Sequence, residues 1–149
     1  MSYQEAVTCL APCGLDCSRC ADYEKGEIKQ LSQRLSELLN HYERVAKMKA
    51  PHKPAFANYA QFEEIVALFS RASCGGCRSE NVQCPISCAA KICHKEKGID
   101  FCFQCDEYPC EKQFASMNGL RNRWKLNNDR MKETGVVGFY EEQKKLPRY

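Results

Sequence analysis

Apolar residues recur at steps of three and four through the middle of the chain, between two groups of cysteines. The first series consists of Ile28, Leu31, Leu35, Leu38, Tyr42 and Val45. A second series, after the helix-breaking segment APHKPA, consists of Phe56, Tyr59, Phe62, Val66 and Phe69. Each series is the apolar stripe of an amphipathic helix, and the prolines between them cannot continue a helix. We therefore predict an antiparallel helical hairpin over residues 24–71, with one face buried against the rest of the chain.

The cysteine-rich segment has little apolar periodicity, and its helices are indicated by the residues that begin and end them. Ser87 can cap a helix that Gly98 ends. Pro109 suits the first turn of another helix, which would end near Asn118.

The C-terminal segment predicts two further helices. One should run over residues 120–134, with Gly135 as its stop and with Trp124 packed in the core, and a shorter one over residues 136–145. No alternating strand pattern is present. The predicted fold is mainly α, with a helical hairpin plus cysteine-rich, metal-bound loops and short helices, and the length suits a single domain. Its parts are an N-terminal cysteine motif, the hairpin, a cysteine-rich region and C-terminal helices, at 1–23, 24–71, 72–112 and 113–149.

Twelve cysteines in 149 residues raise the question of what the thiols do. No stretch is apolar enough to span a membrane, and the first residues lack a signal peptide's pattern. We therefore expect a cytoplasmic protein, in which thiols stay reduced unless they bind metal or perform redox chemistry. Metal ligands are favoured over disulfides. The net charge of +3 does not favour a nucleic-acid partner.

Three cysteine pairs have the Cys-x-x-Cys spacing, which lets one tight turn aim both sulfurs at a single ion. The pairs are Cys17/Cys20, Cys74/Cys77 and Cys102/Cys105. One such pair is a weak signal of a metal site, but three pairs with six further cysteines are a strong one. The pattern predicts two or three zinc ions held by thiolates, and an iron–sulfur cluster is the alternative because it too is held by four thiolates.

Single cysteines add detail to this prediction. Cys88 and Cys110 are each expected in the first turn of a helix, where the helix dipole favours the thiolate. Cys93 would lie about 140° around the helix from Cys88, so we expect the two to serve different sites.

The first cysteine group holds a trio, Cys13, Cys17 and Cys20, that leaves one coordination position open. Either Cys9 completes that set or a cysteine of the second group crosses over. We favour crossing, because a metal that clips a long loop stabilises the fold most.

These motifs together resemble an uncharacterised cysteine-rich family, the domain of unknown function 3795. The matching residues are APCGLDCSRCADY at 11–23, CGGC at 74–77 and CAAKICHKEKGIDFCFQCDEYPCEK at 88–112, continued loosely over 120–143. The resemblance implies zinc binding. It nominates as ligands Cys13, Cys17, Cys20, Cys74, Cys77, Cys84, Cys88, Cys93, Cys102, Cys105 and Cys110. Cys9 precedes the family's opening motif, and CPISC at 84–88 is one residue wider than Cys-x-x-Cys.

Two hypotheses about function remain open. The first is a small metal-binding module with structural zinc and a surface that contacts an unidentified protein partner. The second is a redox protein, either an iron–sulfur carrier or a dithiol enzyme that uses CGGC or CFQC. The sequence lacks the βαβ pattern that is typical of dithiol enzymes, which weakens that hypothesis. His94 is expected on the solvated surface, because HKEK is strongly polar.

Overall fold

The computed structural model describes all 149 residues and is mainly helical, as the sequence predicted. Its six α-helices are α1 (Tyr3–Cys9), α2 (Glu27–Leu38), α3 (Glu43–Lys49), α4 (Tyr59–Ser70), α5 (Ala90–Lys97) and α6 (Asn118–Lys144). Short 3-10 helices cover Pro54–Asn58 and Cys102–Gln104. There is no strand, and only two isolated bridges join extended residues. None of the helices has both the length and the apolar character that crossing a bilayer requires.

The hairpin forms, but its first arm is two helices rather than one. The chain turns between α2 and α3 at His41, whose φ of 63° is left-handed and so ends the helical path. α2 packs against α4, and Tyr42 packs on Phe56 and Tyr59, with ring centroids 6.3 and 5.5 Å apart.

The expected burial of one hairpin face against the rest of the chain is wrong. α2 and α4 pack on each other, and many of their apolar side chains face solvent. Leu38 is 65% exposed and Leu68 is 61% exposed. A helix stripe shows which residues share a face, but it does not show whether a second layer covers that face.

The chain around α5 only partly follows the helix signals. Gly98 ends α5 in the left-handed conformation, as expected, but the helix begins at Ala90 and Ser87 does not cap it. The helix expected to begin at Pro109 does not form, so Cys110 lies in irregular backbone. Tertiary contacts hold that segment in turns instead. The buried Gln113 reaches back to the start of α5, accepting a 3.0 Å hydrogen bond from the Ala90 N–H.

Both predicted C-terminal helices are confirmed, joined into α6 across a sharp break. Gly135 has φ 75° and ψ 157°, which lie outside the helical region and separate the two parts. The predicted core position of Trp124 is also confirmed, since it is 1% exposed.

Two apolar clusters organise the protein around α6. One joins α1 to both parts of α6 and contains Ala6, Val7, Leu10, Phe101, Met131, Val136, Phe139 and Tyr140. The other contains Ala11, Cys13, Ala90, Phe114 and Trp124, and several cysteines pack against it. The loops that carry the cysteines are therefore seated on the first part of α6.

Truncation of Met131 should destabilise the protein strongly, because this side chain is 1% exposed in the first cluster. We expect Met131→Ala to lower the free energy of unfolding by about 2–5 kcal/mol, measured by urea denaturation. Leu126→Ala is the matched control, because Leu126 lies on the same helix and is 71% exposed; its cost should stay within about 0.5 kcal/mol. Equal losses in the two variants would contradict the assignment of the core.

Candidate metal centres

The structure gathers seven cysteines around one cavity of about 340 Å³, here called cavity A. Its cysteines are Cys13, Cys17, Cys20, Cys74, Cys77, Cys84 and Cys88. Phe114 and Leu120 add apolar walls, and the cationic side chains of Lys91, Arg123 and Arg148 also line it. All twelve cysteines of the chain are free thiols.

The two cysteine groups meet in cavity A, although 53 residues without cysteine separate them in the sequence. The thiol of Cys13 hydrogen-bonds that of Cys88, and the thiol of Cys17 hydrogen-bonds that of Cys77. Backbone contacts close the same junction, because the Cys74 N–H donates to Asp22 and the Glu24 N–H donates to Cys74, both at 2.9 Å. The two cysteine groups therefore lie together in space, and the prediction that they share a metal ion would require this proximity.

A second cavity, here called cavity B, has a volume of about 100 Å³ and gathers four more cysteines. They are Cys93, Cys102, Cys105 and Cys110. Cys88 and Cys93 line different cavities, as expected, but not for the expected reason, because Cys88 lies before α5 and not in its first turn. The eleven cysteines nominated from the motifs divide into seven around cavity A and four around cavity B.

Cys9 lies apart from both sets. It packs at the edge of the first apolar cluster and hydrogen-bonds the Tyr140 hydroxyl. This is the environment of a small, partly buried apolar side chain.

Backbone and side-chain N–H groups point at several sulfurs. The Cys88 Sγ receives the Gln113 amide at 2.9 Å, together with backbone N–H groups at the start of α5. The Gln83 N–H donates to the Cys74 Sγ at 3.3 Å, and the Leu15 N–H donates to the Cys13 thiol. Such donors stabilise a thiolate, which is the form that binds metal.

The paired thiols in cavity A have opposite pKa shifts, because one member of each pair donates its proton to the other. The contact with Cys13 lowers the pKa of Cys88 to about 6, and the contact with Cys77 lowers the pKa of Cys17 to about 7. The same contacts, together with burial, raise the pKa of Cys13 and Cys77.

Two polar groups face the sulfurs of cavity B. The indole Nε1 of Trp124 is buried without a regular hydrogen-bond partner, and its contact with Cys102 acts to lower the thiol pKa. Burial has the larger effect and raises the pKa of Cys102 to about 11. The ammonium of Lys97 contacts Cys105 on the other side. A thiolate at Cys102 would give the orphaned indole N–H an acceptor.

His94 is not on the solvated surface, so that expectation is wrong. It is 7% exposed, its Nδ1 lies 2.7 Å from the Ala90 carbonyl oxygen, and it lines cavity B. Burial lowers its pKa, which favours the neutral imidazole. Its polar neighbours Lys95 and Glu96 lie on the exposed face of α5, whereas His94 lies on the buried face.

Sequence reasoning missed the buried amides that hold two cysteine loops on α6, namely the loop that contains Cys13 and the loop that contains Cys102. Asn128 is fully buried; its Nδ2 donates to the Cys13 carbonyl at 3.1 Å and its Oδ1 accepts from the Phe103 N–H at 3.0 Å. Asn127 donates to the Gly14 carbonyl at 3.1 Å. Their positions three and four residues after Trp124, on the apolar side of the helix, were the signal that could have found them.

Gly14 allows the close approach of the first loop to α6. Its φ is 82°, and a Cβ there would lie 2.9 Å from the Cβ of Asn127. A larger residue would therefore force the loop away from the helix.

The sulfurs line shared cavities, but they are not in coordination geometry. No group of three Cys, His, Asp or Glu side chains is arranged so that it could hold a metal ion. The chemistry of the donor sets nevertheless suits a thiophilic metal, because cavity A offers seven thiols, cavity B offers four, and N–H groups face several of them.

These features define a cysteine-rich, mainly helical protein with two thiol-lined cavities. Residues 9–115 match the model of the family described as a protein of unknown function, DUF3795. The match covers more than half of the chain, so the protein belongs to this family, and the resemblance read from its motifs is confirmed. It includes every cysteine and stops just before α6. Comparison with curated proteins and with solved structures gave no match.

Removal of the Asn128 amide should loosen both cysteine loops. Asn128→Ala leaves the buried Cys13 carbonyl and Phe103 N–H without this partner, which should cost about 1–3 kcal/mol of unfolding free energy. Thermal denaturation of Asn122→Ala, an exposed asparagine on the same helix, provides the control and should leave the melting temperature unchanged. A melting temperature of Asn128→Ala equal to that of the control would contradict the proposed role of the amide.

The thiol pKa values predict selective alkylation of the reduced, metal-free protein. Raising the pH through about 6 should convert Cys88 to its reactive thiolate, whereas Cys102 should stay protonated up to about pH 11. Mass spectrometry after iodoacetamide pulses at increasing pH gives both midpoints. In Cys13→Ala the midpoint of Cys88 should rise, because its hydrogen-bond donor is removed. A common midpoint for Cys88 and Cys102 in the parent protein would contradict the assignment.

Proposed function

We propose that this protein is a small zinc-binding module, in which thiolates hold structural metal ions and the surface contacts a protein partner. One observation carries the proposal: the fold brings eleven of the twelve cysteines to two cavities and leaves Cys9 outside both. Cys93, Cys102, Cys105 and Cys110 would hold one ion in cavity B, and the seven cysteines of cavity A would hold the rest. The metal would fix the loops that carry these residues.

Energetics support a structural role for the metal. A structural zinc contributes apparent binding energy of about 10–16 kcal/mol in zinc-finger peptides, whereas whole domains are stable by about 5–15 kcal/mol. Residues 72–112 contain one short α-helix and bury few large apolar side chains, Phe101 being the largest. Metal binding would supply the cohesion that apolar packing does not supply there.

The N–H groups around the sulfurs support the thiolate form that zinc requires. Gln113 donates to Cys88, and Lys97 contacts Cys105. The unpaired indole N–H of Trp124 beside Cys102 is a further donor. Partners of this kind orient ligands and tune a bound metal.

The partner-binding part of the proposal is supported by the hairpin. Apolar side chains of both α2 and α4 remain exposed, among them Leu31, Leu38, Ile65 and Leu68. Exposed apolar surface of this kind is typical of protein interaction sites.

An iron–sulfur protein is the second candidate, and one observation favours it. Cavity A, at about 340 Å³, is larger than one tetrahedral ion needs and offers more than the four thiolates of a cluster. The dithiol reading finds less support. Such enzymes need an exposed, low-pKa thiol, whereas Cys74 of CGGC is buried and the pKa of Cys102 of CFQC is raised to about 11.

Elemental analysis of protein purified without oxygen separates the two candidates. We expect two or three equivalents of zinc and no visible colour, because zinc has no redox states or visible transitions. Brown protein containing iron and labile sulfide would overturn the zinc proposal.

Loss of two cavity B ligands should unfold the cysteine-rich half. We expect Cys102→Ser/Cys105→Ser to bind one zinc fewer and to lose cooperative melting, because the metal's contribution is comparable to the stability of a whole domain. Cys9→Ser, which changes a thiol outside both cavities, should keep the full zinc content and cooperative melting. A double variant that melts cooperatively at the parent temperature would contradict the structural role.

A further inference from the structure

Cavity A contains more sulfur than one metal ion can use. A tetrahedral zinc site takes four ligands, so a single ion would leave three of the seven cysteines as unbound thiols around the same space. Two separate ions would need eight ligands, one more than the cavity provides. Seven thiolates satisfy two ions when one sulfur bridges them.

The positions of the sulfurs indicate which cysteine would bridge. The thiol of Cys77 hydrogen-bonds that of Cys17, and it also lies within electrostatic range of Cys13, Cys84 and Cys88. The other six cysteines of the cavity divide by their contacts into two subsets, each of which joins the N-terminal cysteine group to the second one. Cys17, Cys20 and Cys74 form the first subset, and Cys13, Cys84 and Cys88 form the second.

Backbone contacts support this division. The first subset lies where the chain enters the hairpin before α2 and leaves it after α4. An isolated bridge between Tyr23 and Cys74 joins these two chain segments. The second subset lies around the start of α5, where Cys13 meets Cys88 and where the Lys91 Nζ donates to the Cys84 carbonyl at 2.7 Å. Cys77 follows Gly76, whose left-handed φ of 86° turns the CGGC loop, and a Cβ at Gly76 would lie 3.9 Å from the Cβ of Cys17.

The charges of the lining residues suit such a pair. Two divalent ions and seven thiolates carry a net charge of minus three. Lys91, Arg123 and Arg148 line the cavity as three cations, with Asp22 as a carboxylate among the lining residues. A cluster of this charge is stabilised by cations close to its sulfurs.

We propose that cavity A binds two zinc ions that share the Cys77 thiolate, whereas cavity B binds a single ion. This inference rests on the proposed zinc function and adds the number of ions and the bridging ligand. One ion would take Cys17, Cys20 and Cys74 as its other ligands, and the second would take Cys13, Cys84 and Cys88. The shared Cys77 thiolate would connect the segments that flank the hairpin to the start of α5 through a single sulfur.

Cadmium-113 is the probe for this arrangement, because it replaces zinc at thiolate sites and its nuclei couple through a shared sulfur. We expect the fully exchanged protein to give three cadmium resonances, two of them split by mutual coupling. In a proton–cadmium correlation spectrum, the Cys77 β-protons should show cross-peaks to both coupled resonances. This measurement needs no variant and so does not depend on whether a variant folds.

Two variants localise the signals. Cys77→Ser should abolish the cadmium–cadmium coupling, and Cys110→Ser, which leaves three thiols in cavity B, should shift only the uncoupled resonance. Three resonances without coupling, or only one resonance from cavity A, would overturn the shared thiolate, as would coupling that persists in Cys77→Ser. Failure of the zinc proposal itself is distinguished by elemental analysis, since protein isolated with iron and sulfide instead of zinc contradicts both.

Discussion

The seating of two cysteine loops on α6 is the contact on which the rest of the structure depends. The loops carry few large apolar side chains, so core packing holds them mainly through Phe101 in the first apolar cluster and through Trp124 and its neighbours in the second. The buried amides of Asn127 and Asn128 add directional bonds to loop carbonyls and to a loop N–H. Buried polar groups are costly unless they are paired, and here their pairing fixes where the thiols lie.

This seating explains why cysteines distant in the sequence share a cavity. The N-terminal loop rests on α6, and α5 rests against the same surface through Ala90 in the second apolar cluster. Cys13 and Cys88 are brought into contact as a result. The hairpin takes little part in this arrangement, because its helices pack mainly on one another and it joins the remainder at the Tyr23–Cys74 bridge.

The proposed metal sites would explain why the thiols are arranged in this way. Thiols that share protons, receive N–H donors and face cations are arranged to stabilise negative charge on sulfur. Apolar burial opposes that charge and raises the pKa of Cys102, and for Cys13 the hydrogen bond to Cys88, together with burial, raises the pKa. A bound divalent ion, as proposed, would resolve this conflict, because it would neutralise thiolates within the cavity and add cohesion where the apolar core is thin.

Local signals in the sequence determined the helices from α2 to α6 and the nomination of the ligands, but they did not predict α1 and they predicted a helix at Pro109 that does not form. The stripes of the hairpin, the stops at Gly98 and Gly135 and the spacing of the cysteine motifs depend on neighbours within a few residues, and the structure contains these helices and stops. Tertiary structure alone decided which thiols meet, that Gln113 is bonded to the start of α5, and that His94 is buried. It also decided that the hairpin's outer stripes stay exposed. These outcomes depend on contacts between segments far apart in the chain, which periodicity and spacing do not encode.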